Sequence, residues 1–85
     1  MRQRDERATM GLTRGVRYGF WIQPVWYEGH FDGYDFECDR PDFVVLANPT
    51  WQFYSDDGET HTPVKYHAPW IQLRISAITE FLPLD

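Results

Sequence analysis

The chain has 85 residues, a formal net charge of −5 and a single cysteine. This length fits one domain, and such a small domain buries only about 60% of its unfolded surface, so we expect self-association or a partner to add burial. The composition excludes an intrachain disulfide, shows no zinc-ligand pattern and contains no apolar run of the ~18 residues that span a bilayer. The N-terminus lacks the apolar stretch of a signal peptide, which predicts a cytoplasmic protein.

Charge is unevenly distributed along the chain. Residues 1–17 hold five arginines against two acidic residues, a net +3, whereas residues 18–85 hold three basic residues against eleven acidic ones, a net −8. We therefore predict a basic N-terminal arm over residues 1–15 and a body over residues 16–85. Such an arm binds nucleic acid, or it folds back on its own acidic domain or on a neighbouring subunit.

Aromatic and β-branched residues predict two strands at the start of the body. One covers residues 16–22, Pro24 marks the joint, and the next begins near Val25. In this second strand the apolar residues occupy odd positions before Gly33 and even positions after it. Because strand side chains alternate with a period of two, this change of phase predicts a β-bulge or a sharp bend at Gly33.

Carboxylates alternate with apolar residues after this bend. Asp35, Glu37 and Asp39 fall opposite the apolar residues at 34, 36 and 38. Apolar-in and acid-out alternation is typical of a half-buried strand, so the plain interpretation is a solvated face. The three carboxylates spread over about 13 Å, too far apart to chelate one cation, and we predict no metal and no cofactor.

The rest of the body alternates strands with turn residues. Asn48-Pro49 closes or breaks a strand that is apolar on both faces, and Pro69 marks a strand edge or bulge. In chain order we predict a turn at 39–42, strands at 43–48 and 50–54, a polar loop at 55–63, a strand at 64–75, one helical turn at 76–78 and a last strand at 79–84.

This order predicts an all-β fold, a small five-stranded SH3- or Sm-like barrel with a strongly bent second strand. The stretches "YEGHFDGYDFE…FVVLANP" and "LRISAITEFLP" resemble the Sm/Hfq family over residues 16–83. The resemblance implies an oligomeric ring that binds RNA. It also implies uridine contacts after the aspartate matched by Asp35 and in the late motif. There the chain has Phe36-Glu37-Cys38 and Arg74-Ile75-Ser76, so the family's RNA-contacting set is not carried over.

No residue pattern indicates catalysis. His30 lies beside Glu28 and Asp32, a neighbourhood that suits a general base or a metal ligand but is equally ordinary for an exposed strand residue. The other two histidines flank a turn-rich segment without a nucleophile motif. Neither a Gly-x-Ser-x-Gly elbow nor a phosphate-cradling glycine loop is present. Cys38 is interpreted as an inward-facing, inert thiol. We predict that the protein is not an enzyme.

The 15 aromatic residues exceed what a barrel of this size needs inside, although a small aromatic core would absorb many of them. Exposed aromatics ringed by carboxylates suit a basic protein partner or a like subunit. We therefore predict a non-enzymatic, acidic protein-interaction module, a regulator, inhibitor or assembly component. Seven arginines against one lysine hint at a high-GC bacterium or its phage. The candidate partner-binding residues are Asp32, Asp35, Glu37, Asp39, Trp51, Tyr54, Tyr66 and Trp70.

The alternative function is an oligomeric Sm-like protein that binds RNA or a nucleotide-like ligand. It ranks second because a body at −8 repels phosphate, and nucleic-acid affinity depends on counterion release by basic side chains. In this alternative the arm supplies the positive charge. Its candidate contacts are Arg2, Arg4, Arg7, Arg14 and Arg17.

Overall fold

The computed structural model describes residues 10–37, 40–54 and 65–84. Its strands are all antiparallel and follow the order β4-β3-β2-β1-β6, with β5 also paired to β3. The all-β prediction is confirmed. The elements are β1 Arg17–Ile22, β2 Val25–Glu37, β3 Arg40–Phe53, β4 Tyr66–His67, β5 Trp70–Arg74, a 3-10 turn Ile75–Ala77 and β6 Glu80–Pro83.

β4 and β5 lie along the same edge of β3. Thr50 pairs with His67 and Ala47 with Trp70, so the same number of residues separates the two pairs on both strands. Between these pairs the carbonyl of Pro69 accepts a 2.9 Å hydrogen bond from the backbone of β3. The two short strands therefore form one edge strand that bends at Pro69, the proline predicted to mark a strand edge or bulge, and the sheet has five strand paths.

β2 is bent at Gly33, where φ is +132°. Phe31 pairs with Leu46 and Gly33 with Val45, so β2 contains one extra residue there. The extra residue exchanges the two faces of the strand, and Tyr34 then packs against the same core as Phe31. The bulge predicted from the phase of the apolar residues is confirmed.

β3 carries a second bulge, which corrects the predicted division of this segment. Strands at 43–48 and 50–54 are one continuous strand, in which Asn48 has φ +50° and Pro49 is almost fully buried. The pairing with β2 gains one β3 residue at this point, opposite Gly29. Because an extra residue in a bulge is left out of the ladder, a proline without an N–H is tolerated there.

Several other sequence predictions concern the segments around the strands. The 3-10 turn and β6 match the predicted helical turn and last strand. The turn predicted at 39–42 is corrected in part, because β3 already begins at Arg40, while Cys38 and Asp39 lie outside the described residues. The loop predicted at 55–63 also lies outside them.

The core lies between the two halves of the bent sheet. Met10, Leu12 and Val16 pack against it, and the Gly15 N–H donates a 2.8 Å hydrogen bond to the Phe31 carbonyl. The arm predicted over residues 1–15 is described from Met10 onward, and this part lies on the barrel. The buried core residues are Tyr18, Phe20, Phe31, Val44, Leu46 and Leu73.

We expect Gly33→Val to lower the free energy of unfolding by about 1–3 kcal/mol, because a β-branched residue does not tolerate this φ. A Cβ here would also lie 2.7 Å from the Arg14 guanidinium, so Arg14→Ala serves as the matched background. If backbone strain is the cause, urea denaturation shows the same loss in both backgrounds. An unchanged denaturation midpoint in wild-type background would contradict the bulge as a source of strain.

The buried hydroxyl of Tyr34 makes no hydrogen bond of ordinary geometry with the residues that the structure describes. Burial raises the pKa of Tyr34, and the nearby backbone of Leu12 acts in the opposite direction. Because a buried unpaired polar group costs about 1–3 kcal/mol, this hydroxyl opposes folding.

We expect Tyr34→Phe to leave stability at pH 7 unchanged or to raise it by up to about 1 kcal/mol. The raised pKa also makes stability depend on pH in the alkaline range. The favourable difference in free energy of unfolding due to the neutral phenol is complete below the unfolded pKa of about 10, and it is lost as pH rises through the folded pKa. The variant should therefore lose less stability than wild type between pH 9 and about pH 11. Urea denaturation of both proteins at pH 7, pH 9 and about pH 11 measures these differences. A clear loss of stability in Tyr34→Phe at pH 7 would show that the hydroxyl is well paired in the folded protein.

Candidate functional site

A row of aromatic residues crosses the sheet, with one residue on each of five neighbouring strands. Trp51 and Tyr66 are stacked, with ring centroids 6.2 Å apart, and Tyr27 lies 6.1 Å from Trp51. At the other end, the Phe20 and Phe81 rings stack at 6.2 Å. Such pairs each contribute about 0.5–1.5 kcal/mol beyond their buried area. From β4 to β6 the row is Tyr66, Trp51, Tyr27, Phe20 and Phe81.

The row is buried in the middle and exposed towards β4. Phe20 is fully buried, whereas Tyr66 is 44% exposed and the neighbouring Phe53, which meets it edge-on at 5.9 Å, is 56% exposed. Tyr27 and Trp51 are half-buried between these extremes, and burial raises the pKa of Tyr27. We call the group Tyr27, Trp51, Phe53 and Tyr66 the aromatic shelf.

The bulge in β3 is what places the shelf on the inner face. Leu46 faces the core on one side of the bulge, and Trp51 continues the inner face on the other. Their separation is an odd number of residues, which alternation alone would put on opposite faces, so the extra residue at Asn48-Pro49 is required. The sequence contained the aromatic residues of the shelf but not the register that aligns them.

The outer face behind the shelf holds a small polar network. The Arg17 guanidinium donates a 2.5 Å hydrogen bond to one carboxylate oxygen of Glu28, and the Trp26 indole N–H donates a 2.8 Å hydrogen bond to the other. Arg17, predicted as a nucleic-acid contact, is therefore engaged by its own domain. Trp26 lies across Gly19, which leaves the space that the indole occupies.

We expect Gly19→Ala to displace the Trp26 indole and to cost about 1–3 kcal/mol, since the new Cβ would lie 2.1 Å from Trp26 Cζ2. Thermal unfolding and tryptophan emission report the two effects. In a Trp26→Ala background the same substitution should cost little, because the atom it meets is gone. An equal loss in both backgrounds would show that the indole is not the cause.

The predicted acidic residues lie at the other end of the sheet. Asp35 accepts a hydrogen bond from Gln72, and Asp32 is exposed beside the Gly33 bend. The rows of Phe43, opposite Asp35, and of Trp51 are separated along β3 by about 26 Å. The structure therefore does not bring these carboxylates together with the aromatic shelf. The side chain of Glu37 and the whole of Asp39 lie outside what the structure describes.

The remaining candidates occupy separate places. Trp70 is 59% exposed, opposite Ala47 on the outer side of β5, away from the shelf. Tyr54 meets Trp21 edge-on at 5.7 Å, and its hydroxyl lies 2.5 Å from the Gln52 amide that donates to it. Arg14 is exposed near the bend, and the first three arginines of the arm lie outside the described residues.

Arg74, in the late motif of the family resemblance, makes contacts within its own domain. Arg74 forms an ion pair with Asp42, and its guanidinium lies 4.6 Å from the centre of the Phe43 ring. An arginine that contacts both a carboxylate and an aromatic face stabilises the fold.

The described ranges contain neither a cluster of metal-ligating side chains nor a membrane-spanning helix. No three His, Cys, Asp or Glu side chains of residues 10–37, 40–54 and 65–84 come together in a group that could hold a metal ion. The same ranges contain no helix whose length and apolar content would allow it to span a bilayer.

No protein-family model and no curated protein matches the chain in sequence. Among solved structures it is similar to the Pyrococcus abyssii Sm protein in complex with a uridine heptamer, with a TM-score of 0.54 and 20% sequence identity. The similarity covers 99% of this chain and 100% of that chain. The chain has an Sm-like fold. Because the identity is this low, the likeness extends to the Sm-like fold alone.

Proposed function

We propose that this Sm-like chain binds single-stranded RNA as an assembly of like subunits. The observation that carries the proposal is the end-to-end likeness to an Sm protein whose structure contains a uridine heptamer. It favours the RNA-binding alternative over the protein-interaction module that the sequence ranked first. That the protein is not an enzyme and that it is cytoplasmic stay predictions.

The assembly is supported by the two ends of the sheet. Among the described strands, β6 pairs only with β1, and β4 and β5 pair only with β3, so each end has a free edge. Phe81 and Leu82 on β6 are 40% and 45% exposed, and Trp70 on β5 is 59% exposed. Free edges with exposed apolar side chains favour strand addition by another copy. Because the two edges differ, such pairing is heterologous and forms a ring or a filament.

The charge of the chain opposes RNA binding. The described residues contain five lysines or arginines against six aspartates or glutamates, a net charge of −1. Most of the remaining acidic charge belongs to Asp39 and to residues 55–64, outside the described ranges. Those carboxylates still act on a phosphate backbone, so the net charge of −5 is what RNA binding has to overcome.

We expect the purified protein to sediment as a multiple of its 10.2 kDa chain mass and to bind labelled oligouridine with an affinity that falls as salt is raised. Analytical ultracentrifugation and fluorescence anisotropy between 50 and about 200 mM salt measure the two properties. A stable monomer without RNA affinity would overturn the proposal.

Charge variants separate RNA binding from acidic protein docking. Asp35→Lys with Glu37→Lys should strengthen RNA binding by relieving repulsion, and deleting residues 1–9 should weaken it and flatten its salt slope. The deletion stops before Met10 because Met10 and Leu12 pack on the core. If the protein docks a basic partner instead, the lysine reversal weakens that complex through a slower on-rate, and the deletion matters little.

The protein-interaction module remains a second candidate because of the exposed apolar side chains. Trp70 in particular is a large aromatic residue on the outer face, the type of side chain that anchors interfaces. A partner that is captured by wild type but not by Trp70→Ala, together with absent RNA binding, would favour this second function.

A further inference from the structure

The chain just before β1 lies as a strap against the core. Met10 and Leu12 are half-buried and pack against the core cluster. The Thr13 N–H donates a 2.8 Å hydrogen bond to the Tyr18 hydroxyl. We call residues 10–14 the strap, and these contacts favour its closed position.

The strap joins the sheet through a turn that contains a glycine. In this turn the Val16 N–H donates a 3.2 Å hydrogen bond to the Thr13 carbonyl. Gly15 has φ +90°, a conformation that a residue without a Cβ adopts readily, and its N–H donates to the Phe31 carbonyl. The Phe31 N–H in turn donates a 3.0 Å hydrogen bond to the Val16 carbonyl, which continues the pairing of β1 with β2. The sheet therefore holds the backbone from Gly15 onward, and Gly15 can act as a hinge for the strap.

The closed position also carries unfavourable contributions. Met10 has φ +56°, which a residue with a Cβ rarely adopts. The buried Tyr34 hydroxyl lies near the backbone of Leu12 but makes no hydrogen bond of ordinary geometry with the described residues. Closing also fixes the backbone of the whole strap, which costs conformational entropy. Opening the strap relieves the Met10 backbone, returns this entropy and gives the Tyr34 hydroxyl a route to water.

We propose that the strap is a hinged cover that opens and closes over Tyr18 and Tyr34 while the barrel stays folded. When it is closed, its backbone lies against both tyrosine hydroxyls. When it is open, both hydroxyls are uncovered. Segments in which favourable contacts are opposed in this way open locally at a lower free energy than global unfolding. A ligand that binds the open position better shifts the strap towards it. The device goes beyond the proposed function, and its tests use no RNA, so either can fail without the other.

Native-state amide hydrogen exchange tests the proposal in the full chain. We expect the Thr13 amide to exchange through a local opening whose rate changes little as sub-denaturing urea is added, because opening the strap exposes little surface. The Phe31 amide lies on the sheet side of the hinge and should exchange only as the barrel unfolds, with a strong dependence on urea. NMR follows both amides in one sample. Equal protection and equal urea dependence would show that the strap does not open separately, and the inference would be wrong.

Two tyrosine variants separate the opposing contributions, since each removes one hydroxyl and keeps its ring. Tyr18→Phe deletes the acceptor of the Thr13 N–H, so the Thr13 amide should exchange about five- to ten-fold faster, the effect of one hydrogen bond. Tyr34→Phe deletes the poorly paired hydroxyl, so exchange of Thr13 should stay the same or become slower. Unchanged exchange in Tyr18→Phe would show that this hydroxyl does not hold the strap. Equal acceleration in both variants would show that both hydroxyls hold it. Either result overturns the proposal.

Serine variants test whether the strap opens as one unit. Leu12→Ser should open it, and adding Met10→Ser should then lower the urea denaturation midpoint no further, because the open strap has lost its contacts already. The matched control is Ile78→Ser, which changes another half-buried residue that packs against the same core. Its loss should add in full to that of Leu12→Ser. If the loss from Met10→Ser adds in full as well, the strap is an integral part of the core, contrary to the proposal.

Discussion

The structure depends on keeping one apolar face continuous along two long strands that must bend. Side chains alternate with a period of two, so any extra residue turns the following side chains to the other face. β3 carries an extra residue at Asn48-Pro49 and β2 carries one at Gly33, and the pairing that shifts by one at the first returns to its starting offset at the second. A third shift, with Asp42 extra in β3, follows between the Asp35 and Phe36 pairs near the end of the ladder. The two bulges therefore bend the strands while Phe31, Leu46 and their neighbours stay on the inside.

The shelf is a consequence of the same constraint. Once the β3 bulge has restored the inner face, every second residue beyond it is an aromatic that continues that face towards the end of the strand. The core residues Val44 and Leu46 are fully buried, whereas Phe53, farther along the same strand, is 56% exposed. The inner face of β3 therefore extends past the buried core.

The sequence allowed prediction of one bulge and not of the other, for a physical reason. Residues before Gly33 alternate clearly between apolar and polar, so the change of phase is visible on a single strand. Residues 43–48 are apolar on both faces, and a change of phase leaves no trace in such a segment. Asn48-Pro49 then resembled the end of a strand, because the positive φ of Asn48 and the missing N–H of proline are also typical of turns.

The composition of the site was predictable, but its arrangement was not. Aromatic excess is a property of the sequence, whereas the row depends on the register between strands that are far apart in the chain. The separation of Asp35 from Trp51 has the same origin. The two residues lie on paired strands, but their positions in the ladder differ by many residues. From composition alone we expected the carboxylates and the exposed aromatic residues on one surface. The pairing of β2 with β3 instead places Asp35 and Trp51 towards opposite ends of the sheet.

The proposed assembly and the proposed RNA binding would use different directions of the same strands, so neither excludes the other. The backbone groups that pair one strand with the next lie in the plane of the sheet, whereas side chains stand perpendicular to it. Tyr66 can therefore present its ring while the edge of β4 and β5 receives a strand of another copy. In the proposed assembly, a site repeated on every copy would turn the later contacts of one RNA strand into intramolecular events, and this would raise the overall affinity without any new residue.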